Sequence, residues 1–191
     1  MLTAGILLAA GHGKRFGADK LSAPLFGHPL AEYAASALRM AQVGRRFCVG
    51  RAMDGFDHVH AQGAQSESLR AGIRAARQAS AARAVIVLAD MPLVTAGLID
   101  SIVVACPAGG AAAAIDGRPM PPACFDAALF SQLEAARGDE GARGLLAGLP
   151  PECRIPAPGL LLDIDTREDL LRLAQTHRLA GDGSVRLERV P

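Results

Sequence analysis

The run Ala84-Val85-Ile86-Val87-Leu88-Ala89 does most to limit what this chain can become. It is apolar, rich in β-branched residues and too short for a helix of its own, so it reads as a strand with no solvent face. Such a strand needs cover above and below. Further strands are predicted at Gly5–Ala9, Arg46–Gly50 and Ala111–Ile115, and helical spacing recurs at Pro29–Val43, Ser66–Gln78 and Ala96–Ala105. Strands alternating with helices predict a three-layer α/β/α domain around a mostly parallel sheet. The 191 residues fit one domain, and half of them are apolar. Aromatics are only 4%, so the core must be built from Ala, Leu, Val and Ile.

The second half of the chain punctuates differently. Asp116–Pro122 reads as a proline-rich loop, Phe125–Arg137 and Glu140–Gly148 as helices, and Gly159–Ile164 as a late strand. Thr166 caps a helix running to about His177, with Asp169 in the third position of a capping box. From Gly181 the tail is polar, either loose or a terminal strand.

In parallel sheets, ligands bind beyond the carboxyl ends of the strands. Three chemistry-bearing segments fall at such ends. The first is the loop after Ala9, which holds both lysines, Lys14 and Lys20, of a chain that has eighteen arginines. Glycines let a backbone curl its N–H groups around an anion, and lysine adds a compact cationic head. A dinucleotide fingerprint would need glycine at position 16, which is Phe16, and an acid after the second strand, which instead ends Val49-Gly50-Arg51. A GxxxxGK[ST] loop is absent. Lys14, Arg15 and Lys20 together suit a triphosphate. The second segment is Asp90 in Asp90-Met91-Pro92, read equally well as a Mg²⁺ ligand or as a helix cap. The third is Asp163-Ile164-Asp165. Its carboxylates share a face if the strand continues through them, and crowded carboxylates favour a bound divalent cation. The helix opening at Gln65–Arg70 can also offer N–H groups to a phosphate or base edge.

Other classes are disfavoured. The net charge is +1 with no basic stripe, so nucleic acid is not an expected partner. No apolar run approaches the ~18 residues of a membrane span, and the start lacks a charged n-region, so a cytoplasmic location is expected. Cys48, Cys106, Cys124 and Cys153 read as reduced, buried thiols. His58-Val59-His60 can place two imidazoles on one strand face, without a third ligand nearby. No serine sits in GxSxG.

With these residues in place, the chain resembles the MobA-like nucleotidyltransferases, most closely the molybdenum cofactor cytidylyltransferases. The family's LAAGxSxRFGxxK opening matches Leu8–Lys20, its SLRxGI segment Ser68–Ile73, and its DMP motif Asp90–Pro92. Its GDxGAR motif matches Gly138–Arg143, and DIDTxEDL matches Asp163–Leu170. The five occur in the family's order. One departure is the glycine-containing GxPxLF loop, where Arg118–Phe125 keeps Pro122 and Phe125 but not the glycine.

The resemblance implies a Rossmann-like sheet of the nucleotide-diphospho-sugar transferase type, with a nucleotidyltransferase domain over residues 1–180 and a tail at 181–191. It implies nucleotide binding by Leu8, Ala9, Ala10, Gly11, Gly13, Arg15, Lys20, Ser68 and Asp90, and catalysis by Arg15, Lys20 and Asp90. Mg²⁺ would be held by Asp90 and a late aspartate, Asp165 first and Asp163 second. The acceptor would meet Pro122, Phe125, Asp139 and Arg143. The implied reaction moves CMP from CTP to a phosphorylated acceptor such as molybdopterin and releases pyrophosphate, with a molybdoenzyme as a protein partner. CTP is favoured over GTP at Ala9-Ala10-Gly11, where guanylyl relatives more often carry a second glycine. Two readings from other classes stay open: a nicotinamide-dependent oxidoreductase, and a cofactor-binding chaperone without catalysis.

Overall fold

The computed structural model describes residues 1–10, 16–61, 65–106, 109–135, 142–182 and 184–190. In chain order its elements are β1 (Thr3–Leu8), β2 (Pro24–Leu25), β3 (His28–Pro29), α1 (Leu30–Met40), β4 (Arg45–Val49), β5 (Asp57–Val59), α2 (Gln65–Gln78) and β6 (Arg83–Leu88). Next come α3 (Ala96–Val104), β7 (Gly110–Ile115), β8 (Arg118–Asp126), α4 (Phe130–Ala135), α5 (Arg143–Ala147), β9 (Arg154–Pro156), α6 (Arg167–Thr176), β10 (His177–Leu179) and β11 (Leu187–Arg189). The central sheet has seven strands in the order β5-β4-β1-β6-β8-β7-β9. β5, β4, β1 and β6 run parallel, β8 is antiparallel to both β6 and β7, and β9 is parallel to β7. This is the predicted three-layer, mostly parallel α/β/α architecture.

Alternation along the strands builds the layers. Leu7, Val85 and Val87 face one side and pack with Ala34, Leu38, Ile99 and Ile102 of α1 and α3. Ile6, Ile86 and Val49 face the other side, with Leu69 and Ile73 of α2 and Phe130 and Leu133 of α4. Both faces are therefore apolar, which is why β1 and β6 show no polar alternation. Each such side chain contributes about 1.5–3 kcal/mol on burial. Gly72 lets α2 close onto the sheet, because a Cβ there would lie 2.6 Å from Ile6 Cγ2.

A third cluster lies outside these layers. Phe16, Leu25, Leu30, Tyr33, Leu93, Ile164 and Leu173 form it. The Tyr33 hydroxyl donates to the Leu25 carbonyl inside it. This cluster fastens α6, the chain after β6 and the segment around residue 20 to one another.

The second half of the sheet departs from expectation. The predicted loop Asp116–Pro122 is only an Asp116-Gly117 turn, and Arg118–Asp126 is a strand reaching past the expected start of a helix at Phe125. The prolines are tolerated for positional reasons. Pro119 pairs with Ala114 where β8 has left β6, and Pro121-Pro122 lie in the register shift between the Ala112–Ala123 and Ala113–Met120 pairs. Phe125 is fully buried in the sheet, and the helix begins at Phe130. Gly159–Ile164 is not a strand; Gly159 turns at φ 74°, and Ile164 N–H donates to the Asp90 carbonyl rather than to a sheet neighbour. The outer strand is instead β9. α1 stops at Met40, short of Val43, because Gly44 N–H already bonds the Thr3 carbonyl as the chain enters β4. The polar tail forms a hairpin, β11 antiparallel to β10. The four cysteines are buried, and none of them forms a disulfide.

Gly50, just after β4, sits at φ 99°, and a Cβ there would lie 2.5 Å from Ala10 Cα. Gly50→Ala combines left-handed strain with a backbone clash, so it should destabilise the fold by about 2–4 kcal/mol in urea unfolding.

Candidate active site

The carboxyl ends of β1 and β6 open into two adjoining cavities. One, of about 230 Å³, is lined among others by Leu8, Ala10, Lys20, Gln65, Ser68 and Asp90. The other, of about 360 Å³, shares Leu8, Gln65, Leu88 and Asp90 and adds Met120, Phe125, Arg143 and Asp163. Lys20 belongs to a short 3₁₀ turn, Lys20–Ser22, whose first N–H groups are capped by the Asp19 carboxylate through Leu21 N. Arg51 clamps that cap from the loop after β4, 2.8 Å from Asp19 Oδ1 and 3.2 Å from Ser22 Oγ. The hydrogen bond from Ser22, then those from Arg51, hold the Asp19 carboxyl below its ordinary range against the opposing effect of burial.

The Lys20 ammonium donates to Asp90 Oδ2 at 2.8 Å and to Asp165 Oδ1 at 3.3 Å. Its residue is only 6% exposed. Burial pulls this ammonium toward its neutral form, yet the hydrogen bonds and charges of Asp90, then of Asp165, outweigh it and raise its pKa. Asp90 is not a helix cap; α3 is capped by Thr95, which accepts from Leu98 N. Asp165 is aimed by the start of α6. The Asp169 carboxylate accepts from Thr166 N at 2.8 Å and from Asp165 N at 3.2 Å, closing the predicted capping box around the loop. Arg167 stacks 5.6 Å above the Phe16 ring and donates to its carbonyl, tying the end of the glycine loop to α6.

A divalent cation suits the donors present. Asp90 Oδ1 is buried and has no hydrogen-bond partner among the described residues, and hard oxygens of this kind are what Mg²⁺ or Mn²⁺ prefer. Yet no group of three His, Cys, Asp or Glu side chains is already gathered to hold a metal among the described residues. Lys20 stands between the carboxylates instead. Asp163 is beside them without being bonded. Its surface is exposed, yet desolvation by the surrounding cleft, then the charges of Asp90 and Asp165, push its carboxyl up to about 6, partly offset by Lys20.

Of the residues singled out from sequence, Leu8, Ala10, Lys20, Ser68 and Asp90 line the first cavity, and Phe125, Arg143 and Asp163 the second. Ala9 is buried, its N–H bonded to the Val49 carbonyl, and lines neither. Pro122 is also buried away from the cleft, whose wall is made by Pro119 and Pro121. Ser66 lies inside the first turn of α2 rather than at its cap, since the helix begins at Gln65. Gly11, Gly13, Lys14, Arg15 and Asp139 lie outside the described residues. The helix opening at Gln65–Arg70 does reach the site, Gln65 lining both cavities, whereas sequence reasoning does not single out the Asp19–Arg51 clamp. An Asp directly before Lys20 is a cap signal that could have found the clamp. The His58 and His60 rings sit 4.2 Å apart without a third such ligand among the described residues. No helix among the described residues is long and apolar enough to cross a membrane.

Comparison with known proteins adds to this geometry. A family profile described as "MobA-like NTP transferase domain" matches residues 5–153. "Purine catabolism protein PucB" of Bacillus subtilis (strain 168) is 30% identical over 200 residues, covering 90% of this chain and 97% of that protein. "Probable molybdenum cofactor guanylyltransferase" of Mycobacterium avium (strain 104) is 31% identical over 195 residues, covering 92% and 96%. The crystal structure of Rv0371c in complex with manganese, from Mycobacterium tuberculosis H37Rv, shares the fold with a TM-score of 0.77 at 23% identity, covering 92% of this chain and 100% of that one.

The Asp163 shift has a defined sign. Its carboxyl binds a proton more tightly folded, near 6, than at the ordinary 3.8, so its contribution to stability falls as pH rises through that window and stays lost above it. Asp163→Asn should remove this slope and make the protein relatively more stable than the wild type at pH 7. Carboxyl NMR titration of the wild type should place the Asp163 midpoint near 6; a midpoint near 4 would contradict it.

Proposed function

Because this chain belongs to the MobA-like NTP transferase family and is a nucleotidyltransferase, we propose that it moves CMP from CTP onto a phosphorylated acceptor of the molybdopterin type, in the cytoplasm, releasing pyrophosphate. The observation that carries the reading is the Lys20 ammonium between Asp90 and Asp165 at the mouth of a cleft floored by Leu8 and Ala10. A cation and a carboxylate beyond the carboxyl ends of parallel strands, joined by Asp165 from the loop before α6, suit a triphosphate with a divalent metal. CTP is favoured by Ala9-Ala10-Gly11, where guanylyl relatives more often carry a second glycine. GTP is the competing reading, because the Mycobacterium avium relative is named a guanylyltransferase.

In this mechanism the base and sugar lie along Leu8 and Ala10, with Ser68 and Gln65 opposite. Gly11, Gly13, Arg15 and Lys20 hold the phosphates. Asp90, with Asp165 and Asp163 beside it, would hold Mg²⁺, which when bound neutralises phosphate charge. The acceptor sits over Phe125 with Arg143, and with Asp139 if the loop reaches it. Its phosphate oxygen attacks the α-phosphorus in line, and the bond to pyrophosphate breaks. Lys20 stabilises the charge that grows on that leaving group. No side chain becomes covalently attached, so the rate comes from positioning and charge neutralisation.

A pyrophosphate-release assay crossing CTP, GTP, ATP and UTP with molybdopterin and simpler phosphorylated acceptors, with and without Mg²⁺, tests this reading. CTP with molybdopterin should be the productive pair. A preference for GTP would move the specificity, and cofactor binding without pyrophosphate release would favour a chaperone. Lys20→Ala should lower kcat by about 10²–10³, the scale of losing one preorganised donor. Asp90→Asn should abolish metal-dependent turnover.

A further inference from the structure

The same ammonium that is suited to phosphate already occupies the space between the carboxylates suited to the metal. We infer that Lys20 is a place-holder for the divalent cation: it keeps the metal out until a nucleotide draws its ammonium away, so that nucleotide and metal enter as a coupled pair. This rests on the metal reading proposed above.

The geometry argues it directly. Two of the three ammonium protons go to Asp90 Oδ2 and Asp165 Oδ1, at 2.8 and 3.3 Å. A divalent ion at carboxylate distance from both, about 2.0–2.1 Å for Mg²⁺, would have to sit where the ammonium now sits or directly against it. Lys20 is almost fully buried, so water does little to screen that repulsion. Asp90 Oδ1 is buried and has no hydrogen-bond partner among the described residues, so it is left to receive a cation. Phosphate oxygens would give the ammonium a new anionic partner and release both carboxylates in one movement. The coupling is reciprocal, so metal must also tighten nucleotide binding.

The chain has only two lysines, Lys14 and Lys20, so protein labelled with ¹⁵N-lysine presents at most two ammonium signals, and Lys20→Gln assigns them. In the wild type, Mg²⁺ alone should leave the Lys20 signal unmoved, and CTP with Mg²⁺ should shift it. Movement by Mg²⁺ alone would overturn the inference. Mn²⁺ titration followed by electron paramagnetic resonance, without nucleotide, gives the second arm. Lys20→Met and Lys20→Gln should bind Mn²⁺ about tenfold or more tightly than the wild type, within the range of single-site couplings. Folded variants that bind no more tightly would refute the place-holder while leaving the metal site standing. If Asp90→Asn added to Lys20→Met binds Mn²⁺ as tightly as Lys20→Met alone, the metal reading itself fails.

Discussion

One ammonium group bridges two carboxylates that the chain delivers from 70 and 145 residues away. Leaving a buried charge without its partner costs about 3–5 kcal/mol, so this contact constrains three distant segments at once. The turn at Lys20–Ser22, the end of β6 and the loop before α6 must meet, and the rest of the molecule is arranged so that they do. The third apolar cluster holds their flanking residues Phe16, Leu93 and Ile164 together. Polar links refine the fit: the Asp19–Arg51 clamp sets the turn, and the Asp169 box sets the loop.

The same arrangement accounts for how a sheet without catalytic side chains of its own supports chemistry. β1 and β6 are buried on both faces and contribute only their ends. The candidate chemistry lies beyond those ends, where Lys20, Arg143, Asp90 and Asp163 line the two cavities, Asp165 is bonded to Lys20, and β8 supplies part of the wall. On the proposed reading, an anionic substrate enters this cleft together with a cation. Without one, the carboxylates have Lys20, and Asp163 is pushed toward its protonated form.

Much of this was legible from sequence because the governing signals are local. An uninterrupted β-branched run identified β6, and the Thr166–Asp169 box was visible as a spacing. Lys20 and Asp90 were readable as residues beyond strand ends; Asp165 was placed after a strand at Gly159–Ile164 that does not form, and the expectation that the three meet rested on the order of five motifs. What was not legible depended on tertiary context. β8 contains Pro119, Pro121 and Pro122, which argue against a strand until its neighbours are known; only the pairing pattern shows that each falls where the ladder needs no donor or shifts register. Leu160–Leu162 looked like a strand because it is apolar, but Leu161 fills a core position beyond the sheet edge. Arg51 looked like an argument against a dinucleotide; its partner Asp19 is 32 residues away and carries no periodic signal.

The central claim is that the turn bearing Lys20 and the aspartates beyond β6 and before α6 form one nucleotide–metal site. The most direct measurement is a crystal structure with a non-hydrolysable CTP analogue and Mn²⁺, with the ion located by its anomalous signal. The account predicts the ion on Asp90 with a late aspartate, and the Lys20 ammonium on the triphosphate. An ion or nucleotide bound elsewhere, with the Lys20–Asp90–Asp165 contacts intact, would contradict it.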